Sequence, residues 1–399
     1  MTTTMPPIRV NAHIHLPPNF SAFDSVGEAV ELAAEQGVSV LGASNYYDFG
    51  VYRDFARLAS ERGVYPLFGL EIIALLEDLR ESGVKVNDPG NPGKMYICGK
   101  GISQFDPMNG EAMRLLQVIR DKDSERMARM VARLADVFAS AGLDLGLDET
   151  AIKDSIVQRH GCDPATVYLQ ERHVAQAFQE GLFESRVGGE RAEALARLFG
   201  TESKDPDDAV GVQNEIRSHL MKAGRAAYVA ETFVGFDHAY RLILALGGIP
   251  CYPTLADGTN PICGYESPVA TLIAEVQARG IQFAEFIPIR NSPEVLSHYV
   301  HAMREAGLAI TAGTEHNTLD MLPLEPACVD GQPVPDDLKE IFREGACVVA
   351  AHQHLTARGD PGFVDGTGRP NPAFDSADAR IAAFAAMGAD VIREGLGEA

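Results

Sequence analysis

Residues 8–15 have the sequence IRVNAHIH, and this stretch decides how the rest of the chain is interpreted. It has the apolar content of a buried β-strand, with His13 and His15 two positions apart at its end. Residues at i and i+2 of a strand point to the same face, so both imidazoles are expected on one side of a sheet. This spacing suits two ligands of one metal ion, although two histidines at a hydrated strand end would have the same pattern.

The segments that follow alternate between strand and helix patterns. Apolar strands are predicted at residues 38–44, 64–76 and 94–102, and amphipathic helices at 25–36 and 52–62. Near-continuous apolar strands separated by helices of about a dozen residues are typical of parallel βα units. The pattern predicts an α/β barrel, in which functional side chains gather at the carboxyl ends of the strands.

The middle of the chain has helical periodicity and no convincing strand. Segments such as 113–141 and 174–198 are predicted to be helical, after which the βα rhythm resumes. A Gly/Pro-rich loop and a helix from about residue 376 are predicted to close the chain. We therefore expect a barrel from residues 1–104 and 226–355, a helical insertion from 105–225, and a C-terminal loop and helix from 356–399 that packs on the barrel.

Two further strand ends carry residue types that bind metals. Glu71 lies in GLEI at the end of the third strand, and Glu315 and His316 follow the strand AITAG. Because strand ends meet at one end of a barrel, these side chains are expected near His13 and His15. A mixed set of imidazoles and carboxylates suits Zn, Mn or Fe. The sequence predicts His13, His15, Glu71 and Glu315 as metal ligands, with His316 as a further ligand or general base.

In the order of these motifs the chain resembles the PHP (polymerase and histidinol phosphatase) phosphoesterases. HIH at 13–15, GLEI at 69–72 and AGTEH at 312–316 are similar to the first, third and last motifs of that family. The segments similar to the branch that includes 3′,5′-nucleoside bisphosphate phosphatases are ERHVAQAFQEGL at 171–182, KAGRAAYV at 222–229 and GGIPCYPT at 247–254. The resemblance covers most of residues 8–317. It implies a distorted (β/α)7 TIM-like barrel with a helical insertion, and hydrolysis of a phosphate ester by metal-activated water.

The resemblance also implies an anion-binding part of the site. Arg172 and His173 match an arginine–histidine pair that helps to form the substrate pocket of the branch. Arg225 lies in the second of the similar insertion segments, and it is a third candidate for binding an anionic group. A guanidinium group suits phosphate or carboxylate because its N–H groups form a planar fork.

Several ligands of the family are replaced by neutral side chains. Asn45 and Tyr46 stand in place of an aspartate–histidine pair, Tyr96 and Tyr252 in place of histidines, and Asn317 in place of the last histidine if no gap is allowed. Fewer anionic ligands compensate less cationic charge, so we expect one or two divalent cations and not three. Tyr46 and Tyr252 are candidate acid–base groups and Tyr96 a candidate substrate contact, with plain packing as the alternative.

Composition limits the classes of function. Lys and Arg number 34 against 56 Asp and Glu, a formal charge of −22, which argues against a nucleic-acid partner because phosphate backbones are bound by excess Lys and Arg. A small anionic substrate in a metal-containing cleft is compatible with this charge. Six cysteines without a CxxC pair fit a reducing compartment, and no apolar stretch approaches the roughly 18 residues of a membrane span. We expect a soluble, cytoplasmic protein, and the sequence does not indicate its oligomeric state.

Three hypotheses for the function follow. The first is a divalent-metal-dependent hydrolase of a small phosphorylated metabolite, in which the metal activates water. The second is a mononuclear metal lyase, isomerase or C–O hydrolase that acts on a sugar or sugar acid. The third is a barrel that binds a ligand without catalysis. A second HxH pair, His352 and His354, is not expected to share an ion if its segment is helical, because residues i and i+2 of a helix face different sides.

Overall fold

The computed structural model describes residues 8–397 of the chain. The strands are β1 (Val10–Ile14), β2 (Val40–Ala43), β3 (Tyr65–Leu75), β4 (Lys94–Lys100), β5 (Val234–Gly235), β6 (Ile249–Thr254), β7 (Phe283–Phe286) and β8 (Ala309–Ala312). The helices are α1 (Val26–Glu35), α2 (Tyr52–Glu61), α3 (Glu77–Glu81), α4 (Gly110–Ser140), α5 (Glu149–His160), α6 (Glu171–Ser185), α7 (Gly188–Phe199), α8 (Ala209–Ile216), α9 (Phe236–Ala245), α10 (Val269–Ala278), α11 (Pro293–Glu305), α12 (Asp336–Ala357) and α13 (Ala377–Gly395). No helix within this described part of the chain is long and apolar enough to cross a membrane.

Seven strands form a nearly closed barrel that contains one reversed strand. Their order is β1-β2-β3-β4-β6-β7-β8, with β5 paired to β3, and a parallel bridge between Ile14 and Glu315 brings the two ends together. Strand β4 is antiparallel to both of its neighbours, whereas the other barrel pairs are parallel. The link between β3 and β4 is a hairpin-like connection at residues 76–93 with only the short helix α3, and antiparallel neighbours need no long crossover. The antiparallel direction of β4 is how this barrel departs from a regular all-parallel βα barrel.

Helices α12 and α13 pack against the strands and bury an apolar cluster. Val348 and Val349 of α12 are buried in it with Phe283 of the barrel and Phe384 of α13. A Cβ atom at Gly345 would lie 1.9 Å from the carbonyl oxygen of Ile310, so only glycine lets α12 approach strand β8 this closely.

The inserted helices α4 to α8 have a separate apolar core. It contains the buried side chains of Met130, Leu134, Phe138, Phe178 and Leu195, among others. The helical segment predicted at residues 174–198 is in fact two helices, α6 and α7, and α7 begins at Gly188 with φ +50°. The break falls at Arg186 and Val187, whose backbones are extended, and Gly188 and Gly189 begin the first turn of α7.

Helix α4 belongs to both cores. Its first turns place Ala112, Leu116 and Ile119 in the barrel core. Its later turns place Met127, Met130 and the residues that follow in the core of the insertion. The insertion is therefore held against the barrel by one continuous helix of 31 residues.

Candidate metal centre and cavity

His13, His15 and Glu71 converge at the carboxyl ends of β1 and β3. The Nε2 atoms of both histidines lie 3.4 Å from Oε2 of Glu71, and all three side chains are buried. None of these three atoms makes a hydrogen bond within the described part of the chain. A buried polar group without a partner costs roughly 1–3 kcal/mol, so three of them pointing at one another fit a shared cation.

The segment after β8 fixes the position of the two histidines. The backbone N–H of Glu315 donates to the carbonyl of His13 at 2.8 Å, and that of His15 donates to the carbonyl of Glu315 at 2.8 Å. This close approach needs Gly313, because a Cβ atom there would lie 2.4 Å from Cβ of His13.

A buried ion pair orients the ring of His13 from behind. Nδ1 of His13 lies 3.1 Å from Oε1 of Glu285, and Nζ of Lys100 lies 2.5 Å from Oε2 of the same carboxylate. Burial alone would raise the pKa of Glu285, but the charges of Lys100 and His13 outweigh it and lower the pKa to about 2. An ionised Glu285 accepts the Nδ1 proton of His13, which orients Nε2 toward Glu71. Burial alone would lower the pKa of His13, but Glu285 outweighs it and raises the pKa to about 9, so a metal ion at Nε2 would displace the second proton of the ring.

Cys98 completes a second set of ligand-type atoms with His13 and Glu285. The ammonium group of Lys100 already supplies positive charge at this place. Burial, and then the negative charge of Glu285, raise the pKa of the Cys98 thiol well above its usual value. The thiol therefore stays protonated and is a poor metal ligand.

Tyr46 binds the carboxylate oxygen of Glu71 that does not face the two histidines. Its hydroxyl donates to Oε1 of Glu71, and its ring stacks on His15 with centroids 5.2 Å apart and planes 7° apart. Burial and the nearby carboxylate raise the pKa of Tyr46 well above its usual value, so the hydroxyl is a donor. Tyr96 also lines the cavity. The side-chain amide of Asn87 donates to the backbone carbonyl of Tyr96 and accepts from its backbone N–H.

Glu315 and His316 do not point at the group formed by His13, His15 and Glu71. The carboxylate of Glu315 is bound by the guanidinium of Arg290 and, at 2.7 Å, by Nδ2 of Asn317. Both ring nitrogens of His316 are engaged, one by Thr314 Oγ1 at 2.7 Å and one by the Leu322 carbonyl at 2.9 Å.

The structure places three other predicted site residues away from the cavity. Tyr252 is fully buried and its hydroxyl donates to Glu266 Oε1 at 2.9 Å. Nδ1 of the buried His173 accepts from the backbone N–H of Gln170 at 3.1 Å, so the ring caps the start of α6. Arg225 is exposed in the turn after Lys222 and is not part of the cavity wall.

His352 is also structural. Its Nε2 donates to the carbonyl of Gly247 at 2.8 Å, and its Nδ1 accepts from the backbone N–H of Phe363 at 3.0 Å. Because both nitrogens are engaged and α12 is helical here, His352 and His354 do not form a second metal site.

A cavity of about 690 Å³ is lined by His13 and Glu71 of the convergent group and is walled by the barrel and the insertion. Six cationic side chains line it: Lys94, Arg126, Arg172, Arg217, Lys222 and Arg290. Glu171 accepts from Arg126 at 2.7 Å and from Lys222 at 2.6 Å, so these two cations share one carboxylate.

Arg172 is the exception among these cations. It makes no side-chain hydrogen bond or ion pair with any residue between 8 and 397, and burial followed by the charge of Arg217 lowers its pKa to about 10. Even so it is charged at neutral pH, and its planar fork is open to an anionic ligand.

Comparison with known proteins defines the class of the fold. No protein-family model and no curated protein sequence matches the chain. The structure is similar to a proposed metal-dependent phosphoesterase from Bifidobacterium adolescentis, with 16% identity, a TM-score of 0.54, and coverage of 84% of this chain and 96% of that one. It is also similar to an amidohydrolase from Chromobacterium violaceum solved with bound sulfate and no metal, with 18% identity, a TM-score of 0.53 and the same coverages of 84% and 96%. At this identity the likeness concerns the fold, and it confirms the TIM-like barrel with a helical insertion that the PHP resemblance implies.

Sequence reasoning missed Lys100, Glu285, Arg290 and Arg217. Lys100 and Glu285 are charged residues inside otherwise apolar predicted strands, which is a signal of a buried ion pair. Arg290 follows β7, at the strand end where functional residues of a barrel are expected. Arg217 lies in a π-helical turn, Arg217–Met221, that no feature of the sequence indicates.

Proposed function

We propose that the protein is a divalent-metal-dependent hydrolase that acts on a phosphate ester of a small metabolite. The observation that carries this proposal is the convergence of three unpartnered, buried ligand atoms on His13, His15 and Glu71. His13 and Glu71 line a cavity whose wall also holds an unpaired guanidinium at Arg172. A cation site beside an anion site is the arrangement that a phosphate ester needs.

In this proposal His13 and His15, each through Nε2, and Glu71 through Oε2 would hold Mn, Zn or Fe. A divalent ion supplies Lewis acidity toward a phosphoryl oxygen and lowers the pKa of water toward about 7. Tyr46 holds the second oxygen of Glu71 and so fixes which oxygen faces the ion. His316 and Tyr252 do not reach the cavity, and the proposal therefore gives neither of them an acid–base role.

The proposal is tested by measuring phosphate release after reconstitution with Mn, Zn or Fe. The panel contains phosphate monoesters and bisphosphates of small metabolites, with phosphate-free sugars and sugar acids beside them. We expect phosphate release that chelation abolishes and metal restores. Turnover of phosphate-free sugars alone would favour the lyase, isomerase or C–O hydrolase hypothesis, and bound metal without any turnover would favour a binding barrel.

Arg172 is expected to bind the anionic group of the substrate. Arg172→Ala should weaken binding of inorganic phosphate by about 10- to 100-fold, because one charge-assisted contact contributes roughly 1.5–3 kcal/mol. Isothermal titration calorimetry on the metal-loaded protein measures the change. Arg225→Ala is the matched control, since Arg225 is an exposed arginine of the same insertion outside the cavity. Equal affinities in the two variants would contradict a role for Arg172.

Asp123 makes anion binding depend on pH. Burial raises the pKa of this cavity-lining carboxyl to about 7, although Arg126 opposes the shift. Below pH 7 the group is neutral, and above pH 7 it adds a negative charge to the cavity wall. Sulfate, which keeps its charge in this range, should therefore bind roughly fivefold more weakly at pH 8 than at pH 6, as expected for about 1 kcal/mol of repulsion. Asp123→Asn should remove that part of the pH dependence, and an unchanged profile would assign it to another group.

A further inference from the structure

We propose that the guanidinium of Arg290 serves as the second cation of the site, so that the centre holds one divalent ion, and that Arg290 and this ion bind the same anionic group. This inference rests on the proposed function, because it assumes a metal held by His13, His15 and Glu71. Beyond the proposed function, it specifies that the site holds one ion and that Arg290 contacts the substrate.

Arg290 is placed to contact a ligand. It ends the short 3₁₀ turn Pro288–Arg290 after β7 and lies on the cavity wall, with 40% of its side chain exposed. Only its Nη2 atom is engaged by another residue of the described chain, namely by Oε2 of Glu315. A guanidinium has five N–H donors in a planar fork, so the remaining donors are free to bind an oxyanion.

Glu315 is committed to Arg290 and not to the metal group. Its carboxylate accepts from Arg290 and from Asn317, and it is not among the ligand atoms that lie within 4.8 Å of one another at His13, His15 and Glu71. The backbone at Glu315 has φ +60°, a left-handed conformation that costs free energy for a residue with a side chain. Two backbone hydrogen bonds, one to the carbonyl of His13 and one from the N–H of His15, maintain this conformation of Glu315. In this conformation the Glu315 carboxylate is bound to the guanidinium of Arg290.

The charges near the centre compensate one divalent ion better than two. Glu71 is the only carboxylate in the group of convergent ligands, since Glu285 is neutralised by Lys100 and Glu315 by Arg290. A second divalent ion would add two positive charges to a buried site without a further anionic ligand. A single ion beside a fixed guanidinium with unengaged N–H donors offers one cation and an adjacent fork of charge-assisted donors, which fits the oxygens of a phosphoryl group or another tetrahedral oxyanion.

Metal content and phosphate binding test the inference without turnover. Elemental analysis of protein saturated with Mn or Zn should give one equivalent in the wild type and in Glu315→Gln, because Glu315 is not among the convergent ligands. Affinity of the metal-loaded protein for inorganic phosphate should fall about tenfold or more in Arg290→Ala and recover partly in Arg290→Lys. The double variant Arg290→Ala/Glu315→Gln removes both charges, so it keeps the test valid if the single variant folds poorly.

Two results would overturn the inference. One is a wild type with two equivalents of metal of which Glu315→Gln loses one, since Glu315 would then be a ligand. The other is an unchanged phosphate affinity in the Arg290 variants. Failure of the proposed function is distinct: one equivalent and Arg290-dependent phosphate binding without ester hydrolysis would refute the hydrolase and leave this inference. Ester hydrolysis by a protein that holds two ions would support the hydrolase and refute the inference of a single ion. A protein that takes up no metal would refute both the hydrolase and the inference.

Discussion

Replacing His13 and His15 together by alanine is expected to abolish stoichiometric binding of Mn, Zn or Fe and to reduce kcat/KM by at least about a thousandfold, because the ion contributes several kcal/mol to transition-state stabilisation. Both imidazoles offer Nε2 to the same point, and Glu71 alone is too weak a ligand to hold the ion there. Elemental analysis and steady-state kinetics on the purified variant measure the two effects.

The double variant should still fold, because three of the four ring nitrogens that it removes have no hydrogen-bond partner within residues 8–397. Glu285 loses its contact with Nδ1 of His13 but keeps its ion pair with Lys100. His301→Ala is the matched control. His301 is an exposed histidine of α11 that forms a hydrogen bond with Asp337 outside the cavity, so its loss should change neither metal content nor activity. Retention of one equivalent of metal by the His13→Ala/His15→Ala protein, with a normal circular dichroism spectrum, would remove these residues from the metal centre.

Glu285→Gln is expected to lower the free energy of unfolding by about 3–5 kcal/mol and metal affinity by about 10- to 100-fold. The amide cannot compensate the charge of Lys100, whose side chain is only 3% exposed, and this is the cause of the lost stability. It also binds the Nδ1 proton of His13 more weakly than a carboxylate does, so the ring is oriented less firmly toward the metal. Denaturant unfolding and metal titration measure the two quantities separately.

A second variant separates these causes. Glu285→Gln/Lys100→Met removes both charges, so most of the stability should return while metal affinity stays low. Recovery of metal affinity together with stability would contradict the role of Glu285 in orienting His13. It would then follow that the single variant acts through folding alone.

The positions of His13, His15 and Glu71 could be predicted because they depend on local rules. A period of two sends both histidines to one face of β1, and the βα order brings the end of β3 to the same end of the barrel. The structure brings these three side chains together as that reasoning predicts, and their role as ligands is the subject of the first prediction above. The barrel and its insertion were predictable for the same reason, since both follow from the periodicity of apolar residues.

The remaining parts of the site depend on contacts between distant segments. Lys100 and Glu285 are 185 positions apart, and their pairing depends on the strand order, which sets β4 and β7 on either side of β6. The direction of β4 depends on the length of the preceding link, which an apolar strand pattern does not specify. Tyr252 and His316 stand at the predicted strand ends, but tertiary hydrogen bonds turn their polar atoms toward Glu266 and Leu322.

Helix α4, which contributes side chains to two apolar cores, makes the barrel and the insertion one cooperative unit. Heating should melt both in a single calorimetric transition, because neither core can be lost without exposing one end of this helix. The same continuity should oppose a hinge motion of the insertion over the cavity. The cavity wall that contains Arg172 and Arg217 is therefore expected to be preorganised for an anion. Binding then costs little conformational entropy, because these segments are already ordered before the ligand arrives.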